Sequence, residues 1–131
     1  MKRLATLEVV GRRSGRVISF PLVVADYQRE RYLVAMLGEN ANWVRNVRAA
    51  KGRAVLRHGR RETVRLEEVE PAVRAPILRR YLAMAPGARP HIPVDRHAPS
   101  QDFERIAARV PVFRVTASPS SPLATTTVSG Q

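Results

Sequence analysis

Residues 11–16, Gly-Arg-Arg-Ser-Gly-Arg, form a glycine-bracketed basic segment between two apolar runs. Backbone N–H groups freed by the glycines, the Ser14 hydroxyl and three guanidinium groups are all suited to phosphate, because arginine offers paired, charge-assisted donors. The guanidinium groups belong to Arg12, Arg13 and Arg16. The segment is not a P-loop, since its spacing differs and no helix follows it. A solvated basic hairpin loop is the alternative interpretation.

A second segment, residues 37–47, combines a Gly-Glu-Asn turn with the start of a helix and the only tryptophan of the chain. Trp43 and Asn46 lie three residues apart, so on a helix they share a face and could present an indole and an amide to the edge of a ligand. The alternative is that Trp43 packs with Val47 in the core. Glu39 in the turn is a candidate general base, although carboxylates are commonplace in surface turns.

No other group of residues in the sequence indicates a metal site or a hydrolytic site. The three histidines do not form a ligand set, because His58 is predicted in a hairpin turn while His91 and His97 lie in a loop. The chain has no cysteine, which excludes disulfides, thiolate catalysis and cysteine metal ligands. We therefore expect no metal and no catalytic acid–base set.

Composition limits the class of protein and its partners. A length of 131 residues with 44% hydrophobic content fits one domain. No apolar run reaches the roughly 18 to 20 residues of a membrane span, and no signal peptide is evident, so we expect a soluble, cytoplasmic protein. The net charge of +12 comes mostly from arginine and indicates an anionic ligand, since 5% aromatic residues are too few for a base-stacking platform. A basic nucleic-acid-binding barrel is the alternative.

Alternation of apolar and polar residues predicts six strands. The pattern places them at residues 4–10, 17–24, 32–37, 53–57, 62–69 and 112–115. The first three are expected to form a meander, with Pro21 at an edge or a bulge, and Gly59 suits a tight turn between the fourth and the fifth. Antiparallel strands in so short a chain must hide their edges, which favours a small barrel over a Rossmann domain.

Three helices are predicted from helical spacing. Asn40 or Asn42 is expected to cap the first, and Ser100 to cap the third. The second carries an apolar stripe of Val73, Ile77, Leu78, Tyr81 and Leu82. Residues 85–99 are expected to form a long loop, and the uncharged residues 117–131 to be a disordered tail after a single domain, residues 1–116.

The two segments together resemble those of a known family. Gly-Arg-Arg-Ser-Gly-Arg followed by Phe-Pro-Leu, and then Gly-Glu-x-x-Asn-Trp-Val-Arg-Asn-Val-Arg-Ala-Ala, is similar to the deazaflavin (coenzyme F-420)-dependent nitroreductases and quinone reductases of actinobacteria. A Pro-Val-Phe-Arg-Val ending adds to the likeness, which covers residues 7–115. The resemblance implies a mainly β, six-stranded antiparallel split β-barrel with helices, related to the oxidoreductases that bind flavin mononucleotide (FMN).

The resemblance also implies a function, in which F-420 donates a hydride to quinones, nitroaromatics or similar electron-poor acceptors. The basic loop would hold the coenzyme phosphate, and residues 35–40 would lie along the deazaflavin ring with Trp43 and Asn46 behind them. No catalytic side chain is then required, because the cofactor supplies the hydride. The cofactor-binding residues implied in this way are Gly11, Arg12, Arg13, Ser14, Gly15, Arg16, Pro21, Ala35, Met36, Leu37, Gly38, Asn42, Trp43 and Asn46.

Three departures from the family pattern concern the acceptor. The chain begins at its first strand, without the N-terminal helical segment of relatives; the ring-binding loop, residues 37–40, lacks a lysine; and residues 87–103 have no counterpart of the pocket tyrosines. A protein that binds F-420, FMN or a tetrapyrrole without nitroreductase turnover is therefore an alternative. The expected partner is a quinone or nitroaromatic acceptor and no specific nucleic acid. A homodimer and association with the inner membrane surface stay open.

Overall fold

The computed structural model describes residues 4–92 and 94–118. Its strands are β1 (Leu4–Val10), β2 (Val17–Val23), β3 (Ala25–Tyr27), β4 (Glu30–Val34), β5 (Arg53–His58), β6 (Arg60–Glu68) and β7 (Val112–Ala117). Its helices are α1 (Asn42–Ala49), α2 (Ala75–Met84) and α3 (Ser100–Ala107). None of the helices in these two ranges has both the length and the apolar character that crossing a bilayer requires.

All seven strands belong to one antiparallel sheet with the order β2-β1-β5-β6-β7-β4-β3. The strands at its two ends, β2 and β3, are separated in sequence by Val24 alone. Because two residues of extended chain span at most about 7 Å, the two ends of the sheet must meet at this residue. The sheet therefore curls into a half-closed barrel, which confirms the predicted split-barrel class.

The predicted number of strands is wrong by one, and the predicted meander is wrong. The missed strand is β3, which lies between the second and third predicted strands. The turn that follows it is Gln28-Arg29, and both residues have positive φ angles of 50° and 68°. Two-residue turns of this type favour Asn-Gly or Asp-Gly, so this dipeptide gives no signal for a hairpin. The next strand, β4, ends at Val34, which leaves Met36 and Leu37 in the following loop.

Both predicted helix caps are wrong. The cap position of α1 is Ala41, which makes no side-chain hydrogen bond there. The side chain of Asn40 instead accepts a hydrogen bond from Arg45 Nη2 at 3.0 Å, and Asn42 is the first residue of the helix. Ser100, expected to cap α3, is likewise its first residue. Both helices are therefore held by packing and not by caps.

The predictions for the buried stripe of α2, for the loop after it and for the end of the last strand differ from the structure. Val73 does not join the buried stripe of α2, because it lies in a preceding 3-10 turn, Pro71–Val73, and is 53% exposed. The predicted loop after α2 contains a second 3-10 turn, Pro86–His91. Ala117 belongs to β7 and not to a tail. Ser118 N donates to Thr63 O at 3.2 Å, and residues 119–131 of the predicted tail lie outside the described residues.

The buried apolar residues form two clusters on the two faces of the curled sheet. One fills the barrel interior and includes Val44 and Val47 of α1. The other lies under α2 and α3, where Phe103 is fully buried. Two inward residues thus fasten α1 to the barrel, which matters because this helix carries the tryptophan. Asn46 and Arg74, each 3% exposed, are the buried polar or charged residues of the described chain.

Arg74 joins the end of β6 to the end of α3. Its Nε donates to Val69 O at 2.8 Å, its Nη1 to Ala107 O at 2.8 Å and Val110 O at 3.2 Å, and its Nη2 to Glu68 Oε2 at 3.2 Å. Burial lowers the pKa of Arg74, and the nearby carboxylate of Glu68 opposes that shift. The guanidinium is therefore a satisfied buried cation that fixes Glu68.

Gly52 follows α1 and connects it to the sheet. Its φ of +85° lies in the left-handed region, its N–H donates to Val47 O at 2.9 Å, and its carbonyl accepts from Leu66 N at 2.7 Å. A Cβ at this position would clash with the carbonyl oxygen of Leu66. Gly59, in the β5–β6 turn, has the same φ of +85° but open space where a Cβ would lie.

This pair of glycines gives a matched test of how α1 is fixed. Gly59→Ala should lower the free energy of unfolding by about 1–2 kcal/mol, the cost of a left-handed non-glycine residue. Gly52→Ala should lower it by a further 1–3 kcal/mol or so, because the neighbouring backbone must also move. Urea titrations of both variants measure the difference. Equal losses would contradict the close approach of Gly52 to β6.

Candidate functional site

The basic segment forms a closed loop between β1 and β2. Gly11 N donates to Arg16 O at 2.8 Å, Gly15 N donates to Gly11 O at 3.0 Å, and Arg16 N donates to Ser14 Oγ at 3.1 Å. Gly15 has a φ of +74°, which glycine adopts without strain. The loop is therefore an ordered hairpin connection whose own backbone fixes the starting points of its arginine side chains.

Trp43, near the start of α1, is half-buried between two phenylalanines. The centroid of its ring lies 5.7 Å from that of Phe20 on β2 and 5.6 Å from that of Phe113 on β7, and both contacts are tilted. These spacings are typical of favourable aromatic pairs. The indole thus packs against the barrel core, as the alternative interpretation held, while its other side remains available to a cavity.

Asn46, one turn after Trp43, fastens α1 to the basic loop. Its Oδ1 accepts a hydrogen bond from the backbone N–H of Arg12 at 3.0 Å and another from Arg12 Nη1 at 2.8 Å. One buried oxygen therefore fixes both the main chain and the guanidinium of Arg12. The sequence predicted that this amide meets the edge of a ligand, whereas its oxygen is occupied by the two donors of Arg12.

A cavity of about 540 Å³ lies between the basic loop, β2 and α1. Its polar end is formed by the loop, and its walls are apolar and partly aromatic. The lining residues are Gly11, Arg12, Arg13, Ser14, Ile18, Phe20, Leu37, Ala41, Asn42, Trp43 and Asn46. The two segments singled out in the sequence thus meet in one cavity of a size typical for small-molecule sites.

The remaining residues implied by the resemblance do not line this cavity. They are Gly15, Arg16, Pro21, Ala35, Met36 and Gly38. Ala35 is fully buried, and its N–H donates to Pro111 O at 2.9 Å, while its carbonyl accepts from Gly38 N at 2.9 Å. These two residues shape the loop after β4. Pro21 lies on β2, at one end of the sheet, where the missing N–H interrupts no further ladder.

Three lining residues escaped the sequence analysis, namely Ile18, Phe20 and Ala41. Ile18 and Phe20 alternate along β2 and so lie on one face of the strand. The same alternation describes a core residue and a cavity wall, so the pattern alone cannot separate them. Ile18 is 42% exposed because the barrel is open at this end.

Two arginines of α1 hold the loop after β4. Arg45 Nη2 donates to Asn40 Oδ1 at 3.0 Å, and Arg48 Nη1 donates to Glu39 Oε1 at 3.0 Å. Arg48 also pairs with both carboxylate oxygens of Glu68, at 3.0 and 2.7 Å. Hydrogen bonding to Glu68, and to a lesser extent to Glu39, raises the pKa of Arg48. Glu39 is thus paired and outside the cavity lining, which does not suit the general base considered above.

A larger cavity of about 670 Å³ lies where β3, β4 and β6 face the start of α2. Its charged lining includes Glu67, Glu68 and Glu70 together with Arg114. Carboxylates repel phosphate, whereas the smaller cavity offers arginines and no carboxylate among its described lining residues. Charge therefore favours the smaller cavity for an anionic ligand. In residues 4–92 and 94–118, no group of three or more His, Cys, Asp or Glu residues is arranged to hold a metal.

Comparison with protein families now decides the class. The model of the F-420H(2)-dependent quinone reductase family matches residues 1–99. The chain belongs to this family. It is accordingly an oxidoreductase that uses coenzyme F-420, as the sequence resemblance implied. No curated protein matches it.

Solved structures show the same fold at low identity. The protein Atu2129 of Agrobacterium tumefaciens, of unknown function, has a TM-score of 0.64 and 14% identity over 88% of this chain, which spans 48% of that protein. An F-420-H2 dependent reductase, FDR-A, has a TM-score of 0.54 and 18% identity over 88% of this chain and 95% of its own. A structure described as a domain-swapped dimer has the same TM-score of 0.54 and 18% identity. The match covers 88% of this chain and 81% of the chain in that structure.

The link between Asn46 and Arg12 can be tested without any ligand. Asn46→Ala should lower the free energy of unfolding by about 1–3 kcal/mol, because a backbone N–H and a guanidinium lose their acceptor. It should also speed hydrogen exchange at the Arg12 amide. Asn42→Ala is the control, since this exposed asparagine lines the same cavity; we expect a change within about 0.5 kcal/mol. Equal effects of the two variants, in a urea titration and in exchange, would refute the link.

Proposed function

We propose that the cavity between the basic loop and α1 binds coenzyme F-420. Its phosphate would lie at the polar end, formed by Arg12, Arg13 and Ser14, and its deazaflavin ring against the apolar wall beside Trp43. One observation carries this proposal: a cationic loop and a flat apolar wall face the same cavity and are joined by Asn46. Neither feature alone would specify a ligand with both an anionic group and an extended ring.

The lining suits a cofactor that carries its own chemistry. When bound, reduced F-420 supplies a hydride to an electron-poor acceptor. The residues of the chain then have three tasks, which are to hold the phosphate, to orient the ring and to keep water from it. Among the described residues that line the cavity, none is an aspartate, glutamate or histidine. The Ser14 hydroxyl and the Arg12 and Arg13 guanidinium groups are the donors available to hold the phosphate.

We propose a quinone as acceptor, with nitroaromatics as further substrates. Family membership supports the quinone. The open rim of the cavity supports a flat apolar molecule, because Leu37 is 66% exposed and Ile18 is 42% exposed at its edge. Apolar surface that borders a cavity is typical of ligand-binding grooves.

Titration of the purified protein with F-420 tests this proposal directly. Trp43 is the only tryptophan, so its fluorescence should be quenched as the coenzyme binds, and menadione added without oxygen should then oxidise the reduced coenzyme. Absence of both binding and turnover would refute the proposal. Binding without turnover by menadione or a nitroaromatic would favour the alternative of a binding protein.

Arginine substitutions test the orientation of the coenzyme. Arg13→Gln should weaken F-420 binding about ten-fold, because a charge-assisted bond to phosphate is lost, and the loss should shrink at high salt. Arg16→Gln should weaken it less than about three-fold, since this residue does not line the cavity.

Arg29→Gln, in the β3–β4 turn outside the cavity lining, is the control with the same change of net charge. Fluorescence titrations at two salt concentrations measure all three variants. The same loss in all of them would mean that net charge alone, and not the loop, attracts the coenzyme.

We also propose that the protein forms a homodimer. Exposed apolar side chains on β1 and β2 support this, since Leu4, Val10 and Val17 are 65%, 49% and 62% exposed. Light scattering after gel filtration should give twice the monomer mass, and a monomeric mass at all concentrations would contradict it. A cytoplasmic location and association with the inner membrane surface remain predictions that cell fractionation can test.

A further inference from the structure

Four charged side chains form a continuous chain from the surface loop after β4 to the helical layer. Glu39 pairs with Arg48 at 3.0 Å, Arg48 pairs with Glu68 at 2.7 Å, and Glu68 pairs with Arg74 at 3.2 Å. The side chains become less exposed along it, from 47% at Glu39 to 4% at Arg74. The pair of Glu39 and Arg48 is thus anchored, through Glu68, to the buried guanidinium of Arg74, which donates hydrogen bonds to three backbone carbonyls.

The outer end of this chain adjoins the wall of the cavity. Leu37, which lines the cavity, is separated from Glu39 by Gly38 alone, and Gly38 has a φ of +93°. The loop is tied to Pro111 O through Ala35 N at its start, but the backbone bonds further along it are short-range, such as Gly38 N to Ala35 O at 2.9 Å and Ala41 N to Gly38 O at 3.3 Å. The side-chain bonds that hold Glu39 and Asn40 therefore contribute to fixing Leu37.

We propose that Arg48 is a positioning residue of the site. It holds the loop through Glu39, and thereby places Leu37 at the rim where, on the proposed function, the deazaflavin ring lies. Arg48 does not touch the cavity itself. Its action on the ring is indirect, through the loop.

The ion pair of Arg48 and Glu39 differs from an ordinary surface pair because Arg48 also binds Glu68. An isolated exposed ion pair contributes little, because two long side chains must be ordered in water. Arg48 is instead held by two carboxylates, and one of these is fixed by Arg74. The conformational entropy of the Arg48 side chain is thus already lost when it binds Glu68 on β6. Its further bond to Glu39 can therefore restrict the loop. The pair of Glu67 and Arg114 is exposed at both ends, with side chains that are 46% and 43% exposed, which makes it a suitable comparison.

Hydrogen exchange tests the proposal in the protein without coenzyme. Glu39→Gln should speed exchange at the Gly38 and Ala41 amides about two- to five-fold, and 1 M salt should shift the natural protein toward the variant. Glu67→Gln, which removes the comparison pair, should leave these amides unchanged. Glu39→Asp keeps the charge and should restore part of the protection.

The second arm measures affinity for F-420. Glu39→Gln should raise the dissociation constant by a factor similar to its effect on exchange, while Glu67→Gln should not change it. Unchanged exchange in Glu39→Gln, or the same change in Glu67→Gln, overturns the proposal.

Arg48→Gln provides a second check: a lower melting temperature with normal exchange at Gly38 and Ala41 would make Arg48 merely structural and would also overturn it. If no variant and not even the natural chain binds F-420, the proposed function fails while the exchange arm still decides the role of Arg48.

Discussion

The site depends on one buried oxygen, Oδ1 of Asn46. It accepts two hydrogen bonds from Arg12, a residue 34 positions away in the chain. An amide placed in a largely apolar interior would destabilise the fold if it had no partner, and this one has a backbone donor and a charged donor. The same interaction that satisfies a buried polar group therefore sets the distance between the cationic loop and the helix with the indole.

Helix α1 has only eight residues, yet it organises three parts of the molecule. Val44 and Val47 fasten it to the barrel interior, Asn46 fastens it to the β1–β2 loop, and Arg45 and Arg48 reach the loop after β4. The bond network at its inner side is buried and strong, while that at its outer side is exposed and weaker. One side of the cavity is thus rigid, and the side that carries Leu37 is held by salt-sensitive contacts.

Much of the site was accessible from the sequence, because its two parts are encoded locally. The glycine-bracketed arginines of residues 11–16 and the spacing of Trp43 and Asn46 each have a physical signature, and both parts line the cavity. The hydrogen bond between Asn46 and Arg12 was not accessible, since it is a tertiary contact that no local pattern encodes. Ile18 and Phe20 were not recognised as cavity residues for a related reason, because alternation fixes the face of a strand but not what covers it.

The class of fold was predicted correctly, but the number of strands and the helix caps were not. A barrel followed from the need to hide the edges of many short strands, and that argument does not depend on the exact number. β3 was missed because Gln28-Arg29 adopts a turn that other residues favour. The caps of α1 and α3 were wrong because packing held these helices where capping was expected, and packing is visible only in three dimensions.

The position of Val24 has a consequence for how the chain folds. Since β2 and β3 are neighbours in sequence but occupy opposite ends of the sheet, the barrel closes only after all the strands between them have paired, including β7 from the far end of the described chain. Such non-local pairing slows folding, and the two parts of the cavity come together only in the folded chain. A ligand that needs both halves binds the native state alone, so it lowers the unfolded fraction by mass action. The abundance of the protein in a cell would then rise and fall with the supply of its coenzyme.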